Sequence, residues 1–226
     1  MNILQIIRLA NKFYVMAKSE ELPADSKDVK TILKNIENLE TYAARVKYAE
    51  KNLEHLSSGS SRVVYKLPDG SIFKLAKNDR GLAQNKVEGN PKMKSTFLNK
   101  LIKKAKNHAW INMQFLEKIT EKEFEKMAGV KFKDFGEAIK YGLKDVSDSP
   151  DTKKPKNFEE VSKTKVYKEL VKVGKEFKLM PGDMARISSW GTKDGHPVLI
   201  DAGLTKEIFD KYYDGGATGR SSESEV

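Results

Sequence analysis

Residues 57–76 read SSGSSRVVYKLPDGSIFKLA, and their pattern is typical of a β-hairpin. The segments 62–65 and 71–75 have the composition of short strands. The sequence LPDG at residues 67–70 lies between them, and in it Pro presets φ for a turn while Gly allows a positive φ. The stretch therefore predicts two antiparallel strands joined by a tight turn.

The loop before this hairpin and the lysine within it are candidates for phosphate binding. Ser58, Gly59 and Ser60 are small, so their backbone N–H groups could approach a phosphate, although Ser/Gly turns are also common without such a role. Lys74 has apolar neighbours, and a desolvated ammonium needs a partner unless it faces solvent on an edge strand. Glu88, on the next predicted helix, is the candidate partner. Such a pair would aim the ammonium at a phosphate.

Two aspartates late in the chain are candidates for the same site. Asp183 lies in the sequence PGDM, and Asp201 follows an apolar strand predicted over residues 196–200. A carboxylate at the end of a buried strand can bind a metal at the lip of a sheet, although a plain Asp turn has the same pattern. A strand–turn–strand over residues 190–200 would bring the two carboxylates together.

The order of the remaining segments predicts an α+β fold, with helices first, then a β-rich block, then helices with one late strand. A small sheet lobe followed by a helical lobe leaves a cleft, where ligands usually bind. Helices are expected at residues 1–18, 27–55 (with a break along its length), 82–88, 121–127, 132–142, 158–177 and 208–213, a second hairpin at 97–102 and 110–116, and a polar loop at 145–157.

The composition of the 226-residue chain argues against several classes of protein. The absence of Cys excludes a disulfide scaffold, a thiolate metal site and a Cys nucleophile, and it fits the cytoplasm as the expected location. The three His residues do not have ligand spacing, so a His-based zinc site is not expected. No apolar run has the length of a membrane span. The formal net charge of +10 favours a polyanionic partner, which could be nucleic acid, a nucleotide or an acidic protein surface.

A lysine-rich stretch is the candidate nucleic-acid interface. Phe97 and Trp110 flank it, but it lacks the Arg residues that single-strand binding grooves combine with stacking aromatics. A solvated face of the second hairpin is the alternative. The lysines are Lys92, Lys94, Lys100, Lys103, Lys104 and Lys106.

Taken in order, these motifs resemble those of the protein-kinase-like fold, including its aminoglycoside phosphotransferase branch, and of small kinase-like proteins encoded by bacterial viruses. The resemblance covers residues 51–204. It implies a two-lobed α+β fold in which Gly59 is the central glycine of the nucleotide loop and Val64 covers the adenine. Lys74 would contact the α- and β-phosphates of ATP, with Glu88 as its helix partner.

The same resemblance assigns the hinge and the catalytic segments. Met113 would be the gatekeeper on the strand that leads into the hinge, and the backbone from Gln114 to Leu116 would bind the adenine. Asp183 would act as a base or orient the acceptor hydroxyl, and Asp201 would bind Mg²⁺. The implied cofactors are therefore ATP and Mg²⁺.

Several residues depart from the family pattern. Arg62 stands where a glycine is usual, which would make the nucleotide loop stiffer. Ser188 stands where an Asn usually binds the second metal ion, and a hydroxyl is a poorer Mg²⁺ ligand than a carboxamide oxygen. Ser189 could serve instead. Ala202 replaces the Phe of the D-F-G motif. Little sequence follows Gly203, so a full activation segment and lower helical lobe are not expected.

These motifs support three functional hypotheses. The first is an ATP- and Mg²⁺-dependent phosphotransferase with an unknown acceptor, and the second is a weak or inactive pseudokinase that binds a protein partner. The third is a basic protein associated with nucleic acid or a virion, in the host cytoplasm if a phage encodes it. The predicted organisation is a helical extension (1–55), a β-rich nucleotide-binding lobe (56–113), a reduced helical lobe (114–213) and a flexible tail (214–226).

Overall fold

The computed structural model describes residues 28–213. These residues form an α+β fold with a small antiparallel sheet and several helices. The helix predicted at residues 1–18 and the tail predicted at 214–226 lie outside the described residues. Within the described part, no helix is long and apolar enough to cross a membrane.

Two short helices replace the long helix predicted before the sheet. α1 (Val29–Asn38) and α2 (Tyr42–Asn52) are capped at their N-termini by the side chains of Asp28 and Thr41. The expected break falls where Thr41 caps the second helix, because a capping residue has an extended backbone. The predicted helix extends too far at its C-terminal end, since Glu54 already begins the first strand.

Five antiparallel strands form the sheet, in the spatial order β1-β2-β3-β5-β4. The predicted turn of the first hairpin is present: Gly70 has a φ of +82°, and Leu67 N–H donates to Ser71 O at 2.8 Å. The second predicted hairpin is also present, but its first strand is shifted from 97–102 to 101–104, and its second is shortened from 110–116 to 110–113. The elements are β1 (Glu54–Ser58), β2 (Arg62–Lys66), β3 (Ile72–Ala76), α3 (Asp79–Glu88), β4 (Leu101–Lys104) and β5 (Trp110–Met113).

The two faces of the sheet contact different parts of the protein. Since side chains alternate along a strand, Phe73 and Leu75 of β3 point to one face and Lys74 to the other. The first face packs with Trp110 of β5 against α1 and α2 in a buried apolar cluster. All residues of β3 are buried, so Lys74 lies on a strand that is covered on both faces.

The helical part of the fold surrounds a second core. Trp190 is fully buried there, with its ring centroid 5.0 Å from that of Phe124, and Nε1 donates to Met184 O at 2.9 Å. The helix predicted at residues 158–177 is interrupted, because Thr164 caps a new helix. The elements are α4 (Glu121–Ala128), α5 (Phe132–Gly142), α6 (Phe158–Val161), α7 (Lys165–Phe177), α8 (Pro181–Met184), a 3₁₀ turn (Ile187–Ser189), β6 (Trp190–Lys193), β7 (His196–Leu199) and α9 (Lys206–Tyr212).

Strand β7 connects the helical part to the sheet. Leu199 N–H donates to Phe97 O at 2.8 Å, and Leu199 O accepts from Asn99 N–H at 3.1 Å. β7 therefore runs parallel to the segment that leads into β4. The chain leaves β7 just before Asp201, which places this carboxylate near the face of the sheet that carries Lys74.

Gly81 lies where α3 approaches the loop between β1 and β2. A Cβ atom there would lie 2.1 Å from Ser61 O and 3.1 Å from Ala76 Cα, which are both backbone atoms. Gly81→Ala should therefore displace α3 or the loop and lower the free energy of unfolding by about 1–3 kcal/mol. Chemical denaturation followed by circular dichroism measures this change.

Gly182→Ala is the matched control for this prediction. Gly182 has no positive φ, and a Cβ atom there would meet nothing within 4 Å among the described residues. Equal losses of stability in the two variants would show that Gly81 is not needed for the close approach of α3 to the loop.

Candidate functional site

Lys74 and Glu88 form a buried ion pair. Nζ of Lys74 lies 2.6 Å from Oε2 of Glu88, and the two side chains are 5% and 1% exposed. The same Nζ donates to Ile200 O at 2.7 Å and lies 3.7 Å from Oδ1 of Asp201. Strand β3, the end of α3 and the segment after β7 therefore meet at one ammonium. The pairing of Lys74 with Glu88 is the one that the sequence predicts.

Arg62 is a second buried cation at this point, and no motif assigned it a binding role. Its Nη1 lies 2.7 Å from Oε1 of Glu88, and its Nη2 lies 2.5 Å from Oδ1 of Asp201. Its side chain is 8% exposed. Arg62 therefore connects Glu88 to Asp201, as Lys74 does. We call Arg62, Lys74, Glu88 and Asp201 the ion cluster.

The cations of the ion cluster keep Asp201 ionised. Burial by itself would raise the pKa of Asp201, but the positive charges of Lys74 and Arg62 outweigh burial and hold this pKa below its ordinary value. Two cations and two carboxylates make the cluster formally neutral. The side chain of Asp201 is 47% exposed, so it is the member of the cluster that is open to a ligand.

Asp183 lies in α8, outside the ion cluster. Burial, reinforced by the negative charge of Asp201, raises the pKa of Asp183 to about 6. Nη1 of Arg186 lies 3.6 Å from Oδ1 of Asp183, which is beyond hydrogen-bond distance. Among residues 28–213, no side chain donates a hydrogen bond to this carboxylate. Asp183 can therefore gain or lose a proton close to neutral pH.

Backbone hydrogen bonds hold the segments of the two aspartates together. Met180 N–H donates to Leu204 O at 2.9 Å, and Ile200 N–H donates to Ser189 O at 2.8 Å. These bonds lie on either side of Asp183 and Asp201 in the sequence. These bonds hold the two segments close to each other, and the negative charge of Asp201 raises the pKa of Asp183. That the two carboxylates form one site stays a prediction.

The described residues do not fit the divalent cation that the resemblance implies. Oδ1 of Asp201 already faces the cationic groups of Arg62 and Lys74. Ser188, the other expected ligand, is exposed on the 3₁₀ turn. Within residues 28–213, no group of three or more Asp, Glu, His or Cys side chains could hold a metal ion. The metal-binding roles of Asp201 and Ser188 stay predictions.

The predicted phosphate-binding loop is closed by contacts within the chain. Gly59 N–H donates to Arg62 O at 2.9 Å, so it does not point freely at a ligand. Nζ of Lys77 donates to Gly59 O at 3.0 Å and to Ser58 Oγ at 3.3 Å. Ser58, Gly59 and Ser60 are all exposed at the tip. Lys77, which the motifs did not predict, therefore lies against this loop.

Val64 and Met113, two of the predicted nucleotide contacts, lie on the face of the sheet that carries Lys74. Val64 lies directly opposite Lys74 in the register of β2 and β3, and Met113 lies opposite Ile72 in the register of β3 and β5. Directly opposed residues share a face. They pack together in a small apolar cluster, which is the kind of surface that an adenine ring could cover.

The predicted hinge is partly occupied by contacts within the chain. Gln114 N–H donates to Lys100 O at 3.2 Å, and Gln114 O accepts from Asn99 Nδ2 at 2.9 Å. Leu116 is buried, and its backbone N–H has no hydrogen-bond partner in the described part of the chain. Of the predicted hinge positions, Leu116 rather than Gln114 is therefore left for an adenine edge.

A cavity of about 560 Å³ adjoins this region but does not contain the ion cluster as a whole. Glu88 and Leu116 are the predicted site residues that line it. Its other walls come from the segment between α3 and β4 and from the turn between β6 and β7. It therefore lies beside the ion cluster, and neither Lys74 nor Asp183 lines it.

The candidate nucleic-acid interface lacks accessible aromatic rings. Phe97 and Trp110, which flank the lysine-rich stretch, are 5% and 0% exposed. Bases could not stack on either ring without unfolding the core. Lys103 and Lys106 are exposed along and after β4, so this stretch is a solvated, basic edge of the sheet.

The alternation along β2 is the signal that could have placed Arg62 in the site. Arg62 and Val64 are two residues apart, so they point to the same face of the sheet. Val64 is opposite Lys74, and Lys74 is the residue whose burial the sequence already implies. An arginine on that face therefore had to lie near the same acidic partner.

Comparison with known proteins gives a weak likeness to solved structures. No protein-family model matches the sequence, and no curated protein matches it. Among solved structures, the ternary complex of streptomycin, ATP and APH(2″)-IIa is similar, with a TM-score of 0.34 and 14% identity. The match covers 69% of this chain and 68% of that one. That protein is an aminoglycoside phosphotransferase, which has a protein-kinase-like fold.

The ion cluster predicts a large loss of stability when Glu88 is neutralised. Glu88→Gln would leave Arg62 and Lys74 buried with only one carboxylate between them, and breaking a buried pair in this way costs about 3–5 kcal/mol. Denaturant unfolding measures the change. Glu159→Gln is the control, since its ion pair with Lys154 is exposed and should contribute no measurable stability. Equal stability for Glu88→Gln and wild type would show that the carboxylate of Glu88 does not stabilise the buried cations Arg62 and Lys74.

The raised pKa of Asp183 predicts a pH-dependent effect of Asp183→Asn on stability. Folding raises this pKa from 3.8 to about 6, so the fold favours the neutral acid, and its contribution to stability is lost as pH rises through this window. The variant should therefore be more stable than wild type above pH 6, by about 3 kcal/mol at most, and equal to it below the unfolded-state pKa. Denaturant melts of both proteins across this range measure the difference.

Asp151→Asn, in an exposed loop, is the control for this series. It should give a difference from wild type that does not change with pH. A flat difference for Asp183→Asn as well would contradict the raised pKa.

Proposed function

We propose that this protein is a reduced, two-lobed, kinase-like phosphotransferase that binds ATP between a nucleotide lobe (56–113) and a helical lobe (114–213). The observation that carries this proposal is the buried Lys74–Glu88 pair, whose ammonium lies 3.7 Å from Oδ1 of Asp201. Burying three charged groups beside a half-exposed fourth is unfavourable unless they have a use or excellent geometry. A phosphate group is the ligand whose chemistry suits them.

Lys74 has one further N–H donor that could bind a phosphate oxygen. An ammonium has three N–H donors, and in Lys74 two of them point to Glu88 and Ile200 O. The third lies on the side of Asp201, where the cluster is open. The guanidinium of Arg62 lies beside it and could bind two phosphate oxygens at once.

Asp183 is the residue suited to handle the acceptor. In phosphoryl transfer, the bond between the γ-phosphorus and the bridging oxygen of ATP breaks while the acceptor oxygen bonds to phosphorus, and ADP leaves. The acceptor hydroxyl must lose its proton, and Asp183 is the carboxylate that could take it. With a pKa of about 6, Asp183 is mostly ionised at neutral pH and still basic enough to accept a proton.

The chemistry proposed here uses no step through Mg²⁺, because the described residues do not fit that ion. Lys74 and Arg62 would instead supply hydrogen-bond donors to the transferred group. The acceptor stays open, and it could be a sugar, another small molecule or a protein side chain.

A pseudokinase that binds a partner is the second candidate, and the closed loop and hinge favour it. The backbone N–H of Gly59 and both backbone groups of Gln114 are used within the chain. A site that satisfies its own polar groups in this way gains less from a nucleotide. Such a protein would bind ATP weakly and transfer nothing.

The proposed function predicts ATP turnover that depends on Asp183 and does not need a known acceptor. Transfer to water or to the protein itself should release ADP, and the rate should rise as pH increases through about 6, where Asp183 ionises. Asp183→Asn should bind ATP as wild type does and lose turnover by about a hundredfold or more. Calorimetry measures the binding, and ADP release and intact-protein mass spectrometry measure the turnover.

Asp151→Asn is again the matched control, and it should keep both binding and turnover. ATP binding with no Asp183-dependent turnover would favour the pseudokinase. No ATP binding at millimolar concentration would remove the nucleotide site from both proposals.

A further inference from the structure

We infer that Arg62 takes the place of a divalent cation at Asp201, so that the cleft binds its phosphate ligand without a metal ion. The exclusion of the metal ion depends only on Arg62 and Asp201. The nature of the ligand rests on the proposed function. The two parts are therefore tested by different measurements.

The contacts of Arg62 fill the position where a metal ion would bind. Nη2 contacts Oδ1 of Asp201 at 2.5 Å, while Nη1 contacts Oε1 of Glu88 at 2.7 Å and Oδ1 of Asn85 at 3.3 Å. With 8% of its side chain exposed, Arg62 is shielded from water and from salt. It is a fixed charge of the site and not a mobile surface arginine.

The charge balance of the cluster explains why Arg62 matters. Lys74 lies 2.6 Å from Glu88 and 3.7 Å from Asp201, so without Arg62 it is Asp201 that would lack a close cation. An unbalanced, half-exposed carboxylate attracts a divalent cation. Arg62 supplies that positive charge from the protein itself.

At Oδ1 of Asp201, a metal ion would have to compete with the guanidinium for the same oxygen. If the guanidinium were displaced, Arg62 and Lys74 would both stay buried and would share the single carboxylate of Glu88, which is unfavourable. The remaining expected ligand, Ser188, offers a single exposed hydroxyl, which cannot compensate for that displacement. The geometry therefore favours the protein cation over the metal.

The ligand class follows from the same groups. A planar guanidinium beside an ammonium is suited to a free phosphate ester, because the guanidinium can bind two oxygens and the ammonium a third. Mg²⁺ in solution would bind the same phosphate oxygens and compete with the protein for them. Added Mg²⁺ should therefore weaken nucleotide binding, whereas a metal-dependent site would bind more tightly.

Manganese titrations without nucleotide test the exclusion of the metal. The electron paramagnetic resonance signal of free Mn²⁺ is followed for wild type, Asp201→Asn, Arg62→Gln and the double variant. We expect equal Mn²⁺ binding by wild type and Asp201→Asn, an additional site in Arg62→Gln, and loss of that site in the double variant. Arg80→Gln, which removes an arginine outside the ion cluster, is the charge-matched control and should gain no site.

Two results would overturn the role of Arg62. The first is Mn²⁺ binding by wild type that Asp201→Asn removes, since the guanidinium would then not keep the metal out. The second is a folded Arg62→Gln protein that gains no Mn²⁺ site. If Arg62→Gln does not fold, the comparison of wild type with Asp201→Asn still gives the answer, and Arg62→Lys, which keeps the charge, should behave as wild type.

Calorimetry of ATP binding with EDTA and with excess Mg²⁺ tests the metal-free ligand. We expect wild type to bind ATP at least as tightly in EDTA, and Arg62→Gln to become about tenfold tighter in Mg²⁺ relative to EDTA. Wild-type binding that requires Mg²⁺ would overturn the inference while leaving the proposed function intact. No ATP binding in either buffer would overturn the proposed function, and the Mn²⁺ titrations would still decide the role of Arg62.

Discussion

The ammonium of Lys74 has to be neutralised inside the protein, and the arrangement of the site follows from that requirement. β3 is covered on both faces, so water cannot solvate this charge, and a buried ammonium without a partner is very unfavourable. The end of α3 must therefore lie where Glu88 can reach it, 2.6 Å away. Gly203 makes the remaining space: a Cβ atom there would lie 2.7 Å from Oε1 of Glu88.

The two aspartates show how position within one cluster separates their proton affinities. The side chains of Asp183 and Asp201 are 20% and 47% exposed, and partial burial alone would raise the pKa of each. Asp201 lies against Arg62 and Lys74, so its pKa is lowered. Asp183 lies outside the ion cluster, and the negative charge of Asp201 helps to raise its pKa. One carboxylate is thus fixed as an anion and the other is left able to carry a proton. That division matches a site in which one group holds charge and the other moves a proton.

Local signals allowed the hairpins, most helices and the Lys74–Glu88 pair to be predicted from sequence. Period and turn chemistry act over a few residues, and a lysine in an apolar strand implies an acidic partner nearby. β1 was missed because all its residues are exposed, which leaves no apolar alternation to detect. The contact between Arg62 and Asp201 joins residues 139 positions apart, so only the folded chain shows it. Ser188 and Gln114 were placed by resemblance, and their surroundings depend on tertiary contacts that no motif contains.

The departures from the kinase motifs are consistent with one another once the charge of Arg62 is counted. Read from the sequence, Arg62 in place of glycine suggests a stiffer loop, and Ser188 in place of Asn suggests a weaker metal site. In the structure, Arg62 balances Asp201, so the cluster is neutral without a metal ion and a second metal ligand has no charge to share. The charge of a single arginine on β2 thus connects two departures that look unrelated in the sequence, Arg62 itself and Ser188.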